Sequence, residues 1–175
     1  YVVDDPGDRA RESIGGGVDT VLSSVSFRLG THVENLILTG TRASFGVGNT
    51  LANVMQGNSG ANQLDGGTGA DTMRGGGGND VYVVDDARDV IVEGARAGND
   101  SVRSSVSYAL AANVENLFLY GDYNETINGR GNASANLLVG SEGGNTLDGG
   151  GGADTMEGGE GDDTVTQSIY DSLIG

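Results

Sequence analysis

A nine-residue period constrains this chain more than any other feature of its sequence. Residues 48–83 divide into four consecutive units, GNTLANVMQ, GNSGANQLD, GGTGADTMR and GGGGNDVYV. Glycine opens every unit, and the eighth position is apolar in each, at Met55, Leu64, Met73 and Tyr82. Glycine at the first, second and fourth positions predicts a tight turn, because residues without a Cβ adopt such conformations most readily. The last three positions predict a short strand, and the period does not suit an α-helix.

The sixth position of each unit carries a side-chain oxygen, from Asn53, Asn62, Asp71 and Asp80. Two units make one coil of eighteen residues, so units i and i+2 stack at a strand spacing of about 4.8 Å. Stacked carboxylates repel one another unless a hard, oxygen-seeking cation lies between them, and glycine lets backbone carbonyls point into the same gap. The chain has no Cys and one His, so the preferred ligands of zinc and other transition metals are missing. The pattern therefore predicts calcium.

A second, longer period runs through the chain. Residues 1–5 match residues 82–86, and residues 33–38 match residues 114–119, both at an offset of 81. After Gly121 the offset grows by two, so a second tract occupies residues 131–166, with units GNASANLLV, GSEGGNTLD, GGGGADTME and GGEGDDTVT. Two β-roll modules are predicted, residues 1–83 and residues 84–175.

The nonapeptide pattern G-G-x-G-x-D-x-U-x resembles that of the RTX (repeats-in-toxin) haemolysin-type calcium-binding repeat family. The resemblance implies an all-β fold, a parallel β-roll or β-helix solenoid with calcium-binding Gly/Asp-rich turns. It also implies a fragment of a larger bacterial protein that a type I system secretes and that folds outside the cell on binding calcium. Alternatives are a structural or adhesive stalk of an extracellular adhesin, matrix or surface-layer protein, or an accessory module of a secreted enzyme. Each of these places the chain outside the cell or on its surface.

The predicted calcium ligands come from units i and i+2. They are Asn53 with Asp71, Asn62 with Asp80, Asn136 with Asp154, Asn145 with Asp163, and the first glycines Gly66, Gly75, Gly149 and Gly158. About two ions are expected in each tract. Asn is the weaker ligand, since stacked Asn side chains also form hydrogen-bonded ladders without metal. Asp100, in a further G-x-D-x-U turn, is either an additional ligand above Asp80 or an ordinary turn residue.

Composition argues against several other functions. With 9 basic and 25 acidic residues the net charge is −16, which disfavours nucleic acid and anionic membrane surfaces as partners. Only 5% of residues are aromatic, so we expect the acidic chain to stay unfolded until a metal neutralises it. No apolar run approaches the roughly 20 residues that span a bilayer. No G-x-S-x-G or H-E-x-x-H motif occurs, so no enzyme is predicted within this fragment.

The segments outside the tracts also predict strands. Alternate residues of the stretches 21–29 and 102–110 form an inward face, and the continuous apolar run 90–92 predicts a strand covered on both faces. Residues 9–11, Arg-Ala-Arg, replace that run in the first copy, so no buried strand is predicted there. Residues 168–175 depart from the module and are a predicted cap. Neighbouring modules, or end-to-end self-association of the folded fragment, would cover the coil that begins at Tyr1.

Overall fold

The computed structural model describes residues 1–166, which fall into two compact units, Tyr1–Gly98 and the described part of Asn99–Gly175. Every regular element in this range is a β-strand, and neighbouring strands within each unit pair in parallel. The all-β solenoid class predicted from the sequence is therefore confirmed. No helix in the described range is long and apolar enough to cross a membrane. The predicted cap, residues 168–175, lies outside the described residues.

The first unit winds between two parallel sheets. The first sheet contains, in spatial order, β1 (Val2–Val3), β2 (Thr20–Ser23), β4 (Asn35–Leu38), β6 (Val54–Gln56), β8 (Thr72–Arg74) and β10 (Val90–Ile91). The second contains β3 (Phe27–Arg28), β5 (Ser44–Val47), β7 (Asn62–Asp65) and β9 (Val81–Val84). In the tract, Val54 lies opposite Thr72 and Thr72 opposite Val90, so the coil repeats every eighteen residues, as the nine-residue period predicts.

The second unit has the same construction. One sheet is formed by β11 (Ser101–Ser104), β13 (Asn116–Leu119), β15 (Leu137–Val139) and β17 (Thr155–Glu157). The other is formed by β12 (Tyr108–Ala109), β14 (Gly129–Arg130), β16 (Thr146–Asp148) and β18 (Thr164–Thr166). The tract again stacks with an offset of eighteen residues, for example Leu138 opposite Met156. The predicted module boundary between residues 83 and 84 concerns the sequence repeat and stays a prediction.

The apolar eighth positions form the core of each unit. Six of them are fully buried, namely Met55, Leu64, Met73, Tyr82, Leu138 and Leu147. Met156 is half-buried and Val165 is exposed in the last described coil. Because every unit contributes only one large inward side chain, each coil has a thin core and depends on its neighbours for burial.

The segments outside the tracts bury one face only. Val102 and Ser104 are buried together, as the alternation predicts, and so are Val21 and Ser23 at the equivalent positions. The prediction that residues 90–92 are covered on both faces is wrong. Ile91 is buried, but Val90 and Val92 are 50% and 41% exposed, because a strand of a two-sheet solenoid has one inner and one outer face.

The first copy lacks the strand that corresponds to β10, in agreement with its sequence. Residues 4–19 contain no strand, although Ala10 is buried. The two arginines beside Ala10 replace apolar residues that would extend the sheet. The chain therefore crosses this coil as a loop, in which Ala10 is the one buried residue.

Candidate metal centre

The eight nonapeptide turns adopt two different conformations. In the four Asp-bearing units, the glycines at the second and fourth positions have positive φ, at Gly67, Gly69, Gly76, Gly78, Gly150, Gly152, Gly159 and Gly161. In the four Asn-bearing units no residue has a positive φ. A positive φ is unfavourable for residues with a Cβ, so this turn conformation occurs in the units that have glycine at both the second and the fourth position.

The first glycine of each Asn-bearing unit lies in close contact with the next coil. The carbonyl oxygen of Gly66 lies against the Cα of Gly48, and a Cβ on Gly48 would overlap it. The same contact joins Gly75 to Gly57 and recurs in the second unit with Gly149 and Gly158. The predicted arrangement, in which glycine carbonyls point into the gap between stacked turns, is therefore present in this structure.

The sixth positions of stacked units are joined by a backbone-to-carboxylate hydrogen bond. The N–H of Asn53 donates to Oδ1 of Asp71 at 2.7 Å, and the N–H of Asn62 donates to Oδ1 of Asp80 at 2.6 Å. The corresponding distances in the second unit are 2.8 Å for Asn136 with Asp154 and 2.9 Å for Asn145 with Asp163. The structure thus brings together the members of all four predicted pairs.

The Asn side chains of these pairs are hydrogen-bonded on both polar atoms. Asn53 accepts the N–H of Asn49 through Oδ1 at 2.8 Å and donates from Nδ2 to the carbonyls of Val33 and Glu34, both at 3.1 Å. Asn136 repeats the arrangement in the second unit, donating to two carbonyls of the preceding coil. These bonds form the hydrogen-bonded ladder that the sequence left open for Asn, and they attach each tract to the coil before it.

Asp71 is in a different environment. Its side chain is fully buried, Oδ1 accepts the bond from Asn53, and Oδ2 has no hydrogen-bond partner in the described part of the chain. Oδ2 lies over Gly66, in space that any Cβ at that position would fill. Burial, reinforced by repulsion from Asp89, Asp85 and Asp86 and opposed by the bond from Asn53, raises the pKa of Asp71 to about 6.

The oxygen atoms around Asp71 suit a calcium ion. An ionised carboxylate buried without compensation costs several kcal/mol, and a bound cation removes that penalty. Oδ2 of Asp71 is such an oxygen, and the neighbouring acidic side chains offer only oxygen ligands. Oxygen-only sites suit the hard cations calcium and magnesium and disfavour zinc. The donor set is therefore compatible with calcium.

Sequence reasoning missed Asp89, which lies one coil beyond Asp71. Asp89 is 5% exposed, and its Oδ1 accepts the N–H of Asp71 at 2.9 Å, continuing the bonding pattern of the sixth positions. Burial raises the pKa of Asp89 as well. Its spacing of eighteen residues from Asp71 is the signal that could have found it, although the surrounding sequence, Val-Asp-Asp-Ala-Arg-Asp, has no glycine.

A second missed acid is Glu93, also buried within the first unit. The hydroxyl of Tyr82 donates to Glu93 Oε1, and a carboxylate oxygen of Glu93 lies within 4.8 Å of one from Asp80. Burial, followed by the hydrogen bond to Glu93, raises the pKa of Tyr82. Tyr82 is therefore a neutral donor at physiological pH, and it orients the Glu93 carboxylate beside a predicted ligand.

The remaining predicted aspartate ligands, Asp100, Asp154 and Asp163, lie in the second unit. Asp100 is fully buried, and its N–H donates to Oε2 of Glu115 at 2.8 Å. Asp154 and Asp163, in the last described coils, are half-buried. The role of Asp100 as a ligand stays a prediction.

Comparison with known proteins agrees with this geometry. The fold and its turns define a parallel β-solenoid with glycine- and aspartate-rich turns. A family model for the RTX calcium-binding nonapeptide repeat (four copies) matches residues 47–82 and 130–165, which coincide with the two tracts to within one residue. Both tracts therefore consist of RTX calcium-binding nonapeptide repeats. No curated protein and no solved structure matches the chain.

Proposed function

We propose that the chain is a calcium-dependent folding module of a larger secreted bacterial protein. It would remain unfolded where calcium is scarce, pass through a type I secretion system, and fold as a β-roll outside the cell. The fully buried Asp71 carboxylate, with one oxygen unpartnered among the described residues, is the observation that carries this proposal. A fold that buries such charge in a chain of net charge −16 gains strongly from a divalent cation.

The proposed ligands are the four stacked pairs together with the carbonyls of the first glycines in the Asp-bearing units. In each pair the Asp supplies the negative charge, while the Asn side chain is already bonded to its own turn and to the coil before it. The Asn therefore orients the Asp through its backbone N–H and contributes less to the affinity for the ion. Asp100 is included in the proposed set.

The decisive measurement is circular dichroism of the isolated chain in chelator and during calcium titration. We expect a largely disordered chain in chelator and a gain of β-sheet signal at about 0.1–1 mM calcium, the range of extracellular modules. Asp71→Ala and Asp154→Ala should each weaken one tract and leave the other intact. Asp122→Ala, an exposed acid outside both tracts, is the matched control. A spectrum that does not respond to calcium would refute the proposal.

A second candidate function is a structural or adhesive stalk, and the repetition of an 81-residue module favours it. In a stalk, neighbouring modules of the same protein would stack on this one, and the isolated folded chain would self-associate end to end. Light scattering over a range of concentrations, with and without calcium, tests this candidate. A strictly monomeric folded chain would argue against it. An accessory role beside a catalytic domain is compatible with the same module, and we propose no catalytic role for the chain itself.

A further inference from the structure

Glu93 is a buried acid outside the residues that match the repeat family. It follows strand β10 and belongs to the segment 92–97, which lies against the last turn of the first tract, residues 75–80. The N–H of Gly78 in that turn donates to the carbonyl of Ala97 at 2.9 Å. The segment therefore forms the layer next to the last nonapeptide turn of the first unit.

The carboxylates of Glu93 and Asp80 converge inside the first unit. An oxygen of one lies within 4.8 Å of an oxygen of the other, and the two residues are 8% and 1% exposed. Oxygen ligands lie about 2.3–2.6 Å from a calcium ion, so two ligands of one ion are at most about 5 Å apart. The observed separation is therefore compatible with one shared ion. Without a cation, two buried carboxylates at this separation repel each other.

The turn beside these acids is independent evidence for a calcium ion. Residues 75–80 lie within the match to the calcium-binding nonapeptide repeat. A Cβ on Gly75 would overlap both Oδ2 of Asp80 and the hydroxyl of Tyr82. The glycine thus leaves the space in which oxygen atoms gather at this turn.

Tyr82 fixes the position of the Glu93 carboxylate. Its hydroxyl donates to Oε1 of Glu93, and the N–H of Gly94 donates to Oε2 at 3.1 Å. The other seven eighth positions of the tracts are Met, Leu or Val, so Tyr82 is the one that carries a hydroxyl group. The same contact recurs 81 residues earlier, where the hydroxyl of Tyr1 donates to Oε1 of Glu12. The Tyr–Glu contact is therefore a repeated feature of the module.

We propose that Glu93 is a further ligand of the calcium ion at the Asn62–Asp80 pair, with Tyr82 as its positioning residue. The pair by itself supplies one carboxylate, and Glu93 supplies a second. Ligand charge sets calcium affinity, so this ion is bound more tightly than the pair alone allows. The ion also joins the last turn of the tract to the segment that follows. This inference rests on the proposed calcium-dependent function and extends it to a residue outside the repeats.

The test is isothermal titration calorimetry of the whole chain with calcium. Glu93→Gln keeps the shape of the side chain and an oxygen that can accept the Tyr82 hydroxyl, but it removes the charge. We expect one ion to bind at least about tenfold more weakly, while the other ions keep their affinity. Glu125→Gln is the matched control, since Glu125 is exposed and lies outside both tracts, and every ion should keep its affinity in that variant. Unchanged affinities in Glu93→Gln, or an equal loss in Glu125→Gln, would show that Glu93 is not a ligand.

Urea unfolding separates this role from a purely structural one. If Glu93 only accepts the Tyr82 hydroxyl, Glu93→Gln should change the free energy of unfolding equally in calcium and in chelator with the osmolyte TMAO. If Glu93 is a ligand, the variant should lose stability relative to the wild type in calcium and not in chelator, where the substitution removes a buried charge. Equal changes in the two conditions would overturn the proposal.

A second variant covers the case in which Glu93→Gln does not fold. Glu93→Asp keeps the charge but shortens the side chain, so it should still weaken one ion, and unchanged affinity of every ion in this variant would contradict the proposed ligand. Failure of the broader proposal is distinguishable, because the wild type itself would then bind no calcium and show no change in circular dichroism.

Discussion

Replacing Asp71 by Asn removes a buried charge while keeping the shape of the side chain. In the folded protein without metal, the pKa of Asp71 is about 6, against an ordinary value of 3.8. Each pKa unit corresponds to 1.36 kcal/mol, so ionising Asp71 inside the fold costs about 3 kcal/mol. The substitution Asp71→Asn removes this cost and retains an oxygen that can accept the N–H of Asn53.

The sign of the pH dependence follows from the direction of the shift. Because the folded state holds the Asp71 proton more tightly than the unfolded state, it binds more protons between about pH 4 and pH 6. The free energy of unfolding of the calcium-free wild type should therefore fall as pH rises through this window. The pKa of Asp89 is raised as well, so its contribution has the same sign.

In Asp71→Asn, the free energy of unfolding should fall by about 3 kcal/mol less than in the wild type as pH rises through this window. The amide hydrogens of the new Asn would lie where Oδ2 now lies, and an unsatisfied buried donor costs about 1–3 kcal/mol. That cost does not depend on pH. It offsets the stability gained at neutral pH by removing the buried charge, but it does not alter the predicted change in how the free energy of unfolding varies with pH. In saturating calcium the variant should be less stable than the wild type, because a charged ligand is lost.

The assay is urea unfolding in chelator between pH 4 and pH 7.5, followed by circular dichroism. An osmolyte such as TMAO, which strengthens burial, brings the calcium-free fold into a measurable range. Asp122→Asn, at an exposed position, is the control and should retain the wild-type slope. If Asp71→Asn and the wild type lose stability equally as pH rises, the buried carboxylate is not the source of the effect and the reasoning is refuted.

Three further predictions concern the turns, the core and the metal. Gly76→Ala should destabilise the calcium-bound fold by about 2 kcal/mol or more, because φ of Gly76 is 100° and the new Cβ would meet the carbonyl of Asn58. Gly94→Ala is the control and should cost less, since a Cβ at Gly94 has room. Urea unfolding of both variants tests this prediction. Met73→Ala should lower the free energy of unfolding by about 2–5 kcal/mol and Val90→Ala by much less, since Met73 is fully buried and Val90 is half-exposed. Thermal unfolding in calcium measures both losses, and equal losses would contradict the assignment of Met73 to the core. Magnesium should substitute poorly for calcium in the folding titration, because it is smaller and dehydrates reluctantly; equal midpoints for the two ions would contradict this.

The sequence alone determined the repeating parts of the fold. The nine-residue period places one large apolar side chain and one side-chain oxygen in every half-coil, and both recur at eighteen residues in the strand register. Parallel stacking of identical units leaves few alternatives, because each unit buries its apolar residue only against its neighbours. The solenoid, its core and the four stacked pairs were predictable for this reason.

The tertiary structure decided what each sixth-position oxygen contacts. Asn53 and Asp71 occupy the same position of the nine-residue period, but their contacts differ. Asn53 donates to carbonyls of a preceding coil that has no nonapeptide sequence, whereas Asp71 has one buried oxygen without a hydrogen-bond partner among the described residues. Asp89 was missed because its loop lacks the glycines of the repeat, although it occupies the next place in the stack. A period records the spacing of residues along the chain. The partners available to a buried oxygen depend on the coils above and below it, and only the folded chain brings those coils into contact.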